Sequence, residues 1–158
     1  ETILMHHKIL NKLCNPVLSN LEKNGCQIIG DRKIIKFYKG KVKIAKESDW
    51  SKEYLNSVVS VKSVKNISEA ISHINKYGTM HTDAIITRNL KSAKKFLDEV
   101  KSSIAMHNTS TQFADGGEFG FGGEVGISTN SLPPRGPVGL NQLVSYKYQV
   151  SSDGKIRK

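Results

Sequence analysis

Between Val58 and His107 the sequence alternates strand-like runs with helical ones, and this alternation constrains the fold more than any other feature. Val58–Val64 (VVSVKSV) is a β-branched run of strand length. Asn66 follows it, and Glu69 stands three positions further on, which is the pattern of a capping box. Ala70, Ile71, Ile74 and Tyr77 then fall on one helical face, and Gly78 stops the helix. Ala84–Thr87 reads as a second strand, and Asn89 as the cap of a second helix with Leu90, Ala93, Phe96, Leu97 and Val100 on its apolar face. Ser103–His107 reads as a third strand. Strands joined through single helices return parallel to one another. The expected fold is therefore α/β: a three-layer, mostly parallel sheet with helices on both faces.

The first fifty residues fit the same plan. Thr2–Met5 is a short buried-strand run, and Ile9, Leu10, Leu13, Val17, Leu18 and Leu21 describe a helix face. A proline inside a helix costs about 3 kcal/mol, so Pro16 predicts a break near Asn15. Gly25 suits a left-handed cap at the helix end. Cys26–Ile29 is strand-like, Asp31–Tyr38 fits a short helix, and the alternating Lys39–Ser48 fits an exposed edge strand. At the other end, Leu140–Val144 reads as a helical turn and Ser145–Val150 as a last strand before a polar tail. This divides the chain into a body, residues 1–144, and a terminal strand and tail, residues 145–158.

Ser103–Gly139 holds eight of the thirteen glycines and three of the four prolines. A loop of this length in a compact domain is either functional or disordered. Phe113, Phe119, Phe121, Val125 and Ile127 give it more apolar character than a disordered linker carries, so it reads as an ordered site loop. It leaves the end of a strand, where parallel α/β sheets place their ligands.

Composition narrows the function classes. No apolar run approaches the roughly 18 residues of a membrane span, and the sequence begins without the pattern of a signal peptide. Two cysteines, Cys14 and Cys26, make neither a disulfide framework nor a CxxC metal site, which suits the cytoplasm. The net charge of +10 is spread as single lysines and pairs. The glycine-rich stretch carries Asp115, Glu118 and Glu124 against one Arg135, unlike an RNA-binding segment that interleaves arginine with glycine and aromatics. Five histidines occur without a recognisable ligand set, so no metal is expected. For His81 the expected reading is a hydrogen-bonded structural histidine.

The segment NTSTQFADGGEFGFGGEVGIST, followed by RGPVGL, closely resembles the carboxyl-terminal signature of the gamma-glutamyl phosphate reductases, the glutamate-5-semialdehyde dehydrogenases of the aldehyde dehydrogenase superfamily. ETILMH, DWSKEYLNSVVSVKSV and INKYGTMHTDAIIT agree with the same family in the same order. The resemblance implies an aldehyde-dehydrogenase-like catalytic domain in part. It also implies NADPH as cofactor, L-glutamyl 5-phosphate as substrate, a role in proline biosynthesis, and a homo-oligomer paired through Ser145–Val150. The family's nucleophilic cysteine lies just upstream of the segment matching Glu1–His6, so no catalytic residue is assigned within this chain and the missing amino-terminal half is an expected partner. The implied chemistry is covalent: the cysteine displaces phosphate to form a thioester, which is reduced to the aldehyde.

Resemblance also assigns candidate contacts. Glu53 matches the glutamate that hydrogen-bonds the nicotinamide ribose, and a carboxylate has two acceptors for a diol's two donors. Asn108, Thr109, Ser110, Thr111 and Gln112 match the family's substrate-pocket motif, in which Gln112 replaces the usual arginine. Ser128 and Thr129, within the same signature, could reach the substrate carboxylate. Arg135 matches an arginine open to three roles: an anion contact, a subunit contact, or a salt bridge to Asp115 or Glu124. Two other readings remain: a non-catalytic or split-subunit module of the same family, and, on net charge alone, a basic nucleic-acid-binding domain. The isolated 158-residue chain is expected to reduce nothing with NADPH. Absorbance at the reduced-nicotinamide band checks this directly, and turnover by the pure chain would contradict it.

Overall fold

VVSVKSV forms a strand over Val58–Val64, β4, near the centre of the main sheet in the computed structural model, which describes residues 1–157. β1 (Thr2–His6) pairs with one edge of β4 and β2 (Gln27–Gly30) with the other, while β3 (Val42–Ile44) lies outermost beside β2. All three pairings are parallel. Lys39–Ser48 thus supplies an edge strand, as its alternation implied, though only three residues of it join the ladder.

Side chains of β4 alternate between two covered faces. Val59 and Val61 join Met5, Leu10, Cys14, Leu18, Ile28, Ile34 and Tyr38 in the main core, beneath helices α1 (Leu10–Lys23) and α2 (Arg32–Phe37). Ser60 and Lys62 point the other way, toward a 3₁₀ turn at Glu47–Ser51 and helix α3 (Ile67–Tyr77). Helices therefore lie on both faces, as expected.

α1 runs through Pro16 without the expected break. Leu10, Cys14 and Leu18 are all at most 1% exposed and lie on both sides of the proline. Burying each leucine contributes about 1.5–3 kcal/mol, enough to offset the proline's cost. Pro16 is on the exposed side, where its ring disturbs no packing. Asn15 secures the same turn, donating to the Phe37 carbonyl at 2.9 Å and accepting from the Lys39 amide at 3.0 Å. The helix ends as Gly25 predicted: at φ +81° it lets the Cys26 amide reach the Leu21 carbonyl and its own amide reach the Glu22 carbonyl.

Asp31 ties α2 to β4. One carboxylate oxygen caps the helix, accepting from the Lys33 and Ile34 amides at 2.9 and 2.8 Å. The other accepts from the amide and the hydroxyl of Ser63, both at 2.8 Å. Asn66 and Asn89 cap α3 and α4 (Leu90–Glu99), accepting from the Glu69 and Ser92 amides. Glu69 reaches back to the Lys65 amide, one residue before the cap.

The later strands depart from one continuous ladder. β5 (Thr82–Ile85) and β6 (Ile104–His107) pair parallel with each other in a separate ribbon, and β7 (Gly126–Ser128) pairs antiparallel with β8 (Gly136–Val138). β5 begins two residues before the apolar run that suggested it. Thr82 and Asp83 are strand residues because they pair with Ile104 and Ala105 and find side-chain partners in His81 and Ser102, while Ile86 is left 78% exposed beyond the ladder. Phe96, Val100 and Ile71 form a second core between α3 and α4, with Ile85 and Ala105 against it. Leu90 and Leu97 lie outside it, so the buried stripe of α4 is narrower than the periodicity implied. Ser145–Val150 forms no strand with the other described residues, although the rings of Tyr146 and Tyr148 lie edge-on to each other, 5.5 Å apart.

His73 is buried on α3, with its ring edge-on to Trp50 at 5.5 Å and tilted against Tyr77 at 4.7 Å. The Lys62 ammonium, itself over the Trp50 ring, lies 3.2 Å from Nδ1. An ammonium only donates, so Nδ1 accepts and the ring proton sits on Nε2. Burial first, and the neighbouring Lys62 second, push the His73 pKa down from 6.5 to about 4. The unfolded chain then binds a proton that the folded chain refuses, so stability is full above pH 6.5 and falls as pH drops toward 4. Urea unfolding across that window should lose on the order of 2–3 kcal/mol from this group. His73→Phe, which keeps the ring contacts, should remove that part of the slope.

Candidate functional site

Glu53 stands in the connection that turns from the 3₁₀ segment Glu47–Ser51 back into β4. Its neighbour Tyr54 fixes this connection. The Tyr54 hydroxyl lies 2.8 Å from Ser60 Oγ, inside β4, and Ser60 Oγ donates to the Asp49 carbonyl at 3.1 Å. Burial pushes the Tyr54 pKa up, so the hydroxyl keeps its proton for this network. The Glu53 carboxylate, by contrast, is exposed and has neither hydrogen-bond nor ion-pair partner among the described residues. The strand that holds Tyr54 runs beside the start of β1, where the Ser60 amide donates to the Glu1 carbonyl at 2.9 Å. Sequence reasoning singled out Glu53 and passed over Tyr54, Ser60 and Asp49, which hold the connection that carries it. The available signal was a serine set within an otherwise β-branched run.

A second polar group gathers at the amino end of β6. Ser103 Oγ donates to the Ser128 carbonyl at 3.0 Å, fastening the end of β7 to the start of β6. The Arg135 guanidinium donates to the Lys101 carbonyl. No salt bridge joins Arg135 to Asp115 or Glu124 among the described residues: those carboxylates instead accept from the amides of Gly117 and Gly116, at 2.7 and 2.8 Å. The acids of the glycine-rich segment therefore shape their own loop. Ser128 Oγ accepts from the Asn130 amide at 3.3 Å, and Thr129 is exposed. Gly136, at φ +78°, gives β8 a start that a side chain would strain.

Asn108–Gln112 lie at the opposite, carboxyl end of β6, so the structure divides the candidate substrate contacts between the two ends of one strand. Asn108 takes a left-handed conformation at φ 55°. Its amide is fully engaged: Oδ1 accepts from the Thr87 amide at 2.8 Å and Nδ2 donates to the Thr87 carbonyl at 3.0 Å. His107 Nε2 lies 2.9 Å from the same carbonyl, to which it donates. Asn108 thus joins the turn after β5 to the start of the glycine-rich segment. Ser110 caps a 3₁₀ turn over Thr111–Phe113 by accepting from the Gln112 amide at 3.2 Å. Thr109 is half-buried and Thr111 exposed. Gln112, Phe113 and Glu118 line a shallow hollow of about 200 Å³.

The cysteines lie elsewhere. Cys14 is fully buried in the main core, and burial pushes its thiol pKa up. Cys26 lies on a groove of about 340 Å³ beside Lys41 and Lys43. His81 Nδ1 is 2.6 Å from Thr82 Oγ1, at the start of β5. No three His, Cys, Asp or Glu side chains converge among the described residues, and no helix is long and apolar enough to cross a membrane.

Comparison with known proteins locates this geometry. Residues 43–147 match the family model described as the aldehyde dehydrogenase family. Gamma-glutamyl phosphate reductase of Bartonella tribocorum is 46% identical over 157 residues, which is 99% of this chain and 38% of that protein. Its namesake in Methylocella silvestris is 48% identical, with 99% of this chain matching 36% of that protein. The chain thus spans under two-fifths of the length of these relatives. The crystal structure of gamma-glutamyl phosphate reductase from Thermotoga maritima superposes on all of this chain, and on 38% of that one, with a TM-score of 0.94 at 42% identity. The Saccharomyces cerevisiae enzyme of the same name matches 76% of this chain and 31% of its own, with a TM-score of 0.59 at 32% identity.

Asn108→Ala removes both bonds to Thr87 and leaves a Cβ residue at positive φ without its amide. Chemical unfolding should show a loss of about 2 kcal/mol. Asn108→Asp, which keeps the acceptor but not the donor, should lose less.

Proposed function

The chain belongs to the aldehyde dehydrogenase family, and from that premise we propose that it is the carboxyl-terminal part of an NADPH-dependent gamma-glutamyl phosphate reductase, which converts L-glutamyl 5-phosphate to L-glutamate 5-semialdehyde in the cytoplasm. What supports this most is agreement over the whole chain, in sequence and in backbone, with proteins of that name. The nucleophilic cysteine belongs upstream of Glu1, in the remainder of the enzyme.

Glu53 fits a cofactor contact on its own chemistry. It is charged, exposed and uncommitted, and Tyr54, held by Ser60, fixes the backbone beside it. Its two oxygens would accept from the ribose hydroxyls of the nicotinamide nucleotide. When bound, NADPH supplies the hydride that the reduction requires. Arg135 and Thr129, at the amino end of β6, offer a cation and a free hydroxyl to the substrate carboxylate. Ser128 contributes through its fixed backbone, and its hydroxyl is shared with Asn130. At the other end of β6, Thr109, Thr111 and Gln112 have polar groups to offer, while Asn108 and Ser110 hold the segment in shape. Ser145–Val150 is proposed to add to the sheet of another subunit: Tyr146, Tyr148 and Val150 are each more than 80% exposed here.

The test uses the full-length enzyme, assayed as NADP⁺- and phosphate-dependent oxidation of glutamate 5-semialdehyde. Glu53→Ala should raise the KM for the nucleotide about tenfold to a hundredfold, the loss of charge-assisted hydrogen bonds, and Glu53→Gln should lose less. An unchanged nucleotide KM in both variants would remove Glu53 from the cofactor site.

A further inference from the structure

Asp83 is the only acidic residue inside a strand among the described residues. It lies on β5 opposite Ala105 of β6 and is partly buried. The hydroxyl of Ser102, itself buried, donates to Asp83 Oδ2 at 2.5 Å. The carboxylate has no ion-pair partner among the described residues, and Oδ1 accepts no hydrogen bond from them. A neutral hydroxyl does not restore what a carboxylate loses in leaving water. Burial accordingly pushes this carboxyl's pKa up, and the Ser102 hydrogen bond pulls it only partly back down.

Its hydrogen-bond donor locates Asp83. Ser102 is flanked by Lys101, whose carbonyl holds Arg135, and by Ser103, whose hydroxyl holds the Ser128 carbonyl. A partly buried anion without an ion-pair partner among the described residues therefore sits beside the start of β6, with one exposed arginine fastened next to its own hydrogen-bond donor. The two charges are complementary to the head of a zwitterionic α-amino acid.

We propose that Asp83, oriented by Ser102, binds the α-ammonium group of the substrate and makes the enzyme select an α-amino acid acyl group over its deaminated counterpart. This rests on the reductase reading above. A primary ammonium has three donors and no acceptor, which suits an open carboxylate oxygen. Asp83 binds the substrate at a distance from its reacting carbon and is not a nucleophile. Ser102 is a positioning residue that acts through Asp83.

The experiment compares glutamate 5-semialdehyde with 5-oxopentanoate, which lacks the amino group, as substrates for NADP⁺- and phosphate-dependent oxidation by the full-length enzyme. The measured quantity is the ratio of kcat/KM for the amino substrate to that for the deaminated one. Asp83→Asn should lower this ratio about tenfold to a hundredfold, as loss of a charge-assisted contact does. Ser102→Ala should lower it several-fold, and Asp83→Glu should restore part of it. An unchanged ratio in Asp83→Asn and Ser102→Ala, whether or not overall activity drops, would overturn the proposal and leave the pair as a link between β5 and β6. Failure of the wild-type enzyme to oxidise either aldehyde would instead overturn the reductase reading, and this proposal with it.

Discussion

β4 is hydrogen-bonded along both edges and buried on both faces, and every polar group that it carries must therefore find a partner inside the protein. Ser60 and Ser63 meet that demand in different directions. Ser63 gives both its amide and its hydroxyl to Asp31, which also caps α2, so one carboxylate fixes the position of a helix against a strand. Ser60 turns to the other face and binds Tyr54 and the Asp49 carbonyl. The loop that carries Glu53 is consequently set by the same strand that organises the main core. Geometry around Glu53 is thus inherited from packing.

Most elements were legible in the sequence because their determinants are local. Asn66 and Asn89 each cap a helix by bonding an amide three residues on, and Gly25 closes α1 through a left-handed turn. The β-branched run marked β4 to the residue. What escaped was set by contacts distant in sequence. Pro16 argues for a break when α1 is considered alone, and the break disappears once Leu10 and Leu18 are buried against β1 and β2. Thr82 and Asp83 do not look like strand residues until Ile104 and Ala105 lie beside them.

The site was legible in a different manner. Resemblance nominated the candidate residues but carried no information about which of their atoms were free. Asn108, the first of the candidate substrate contacts, has its side-chain amide committed to Thr87, and Arg135 reaches a backbone carbonyl instead of the acids near it in sequence. Glu53 is the opposite case, a charged group with nothing to hold among the described residues. The distinction depends on hydrogen bonds between residues 21 to 34 positions apart, which no local pattern encodes.

The fastening of the glycine-rich segment at both ends bears on how its sequence can drift. Asn108 anchors its beginning to Thr87, and Ser103 anchors the far side through Ser128. The chain between them is a closed loop, and the entropy of closing a loop grows only as the logarithm of its length, about 0.6 kcal/mol for each doubling. Residues inserted near Gly120 and Gly122 would cost little, whereas a change at either anchor would release the whole segment. Variation in length should therefore collect at the tip, and the anchors should tolerate almost none.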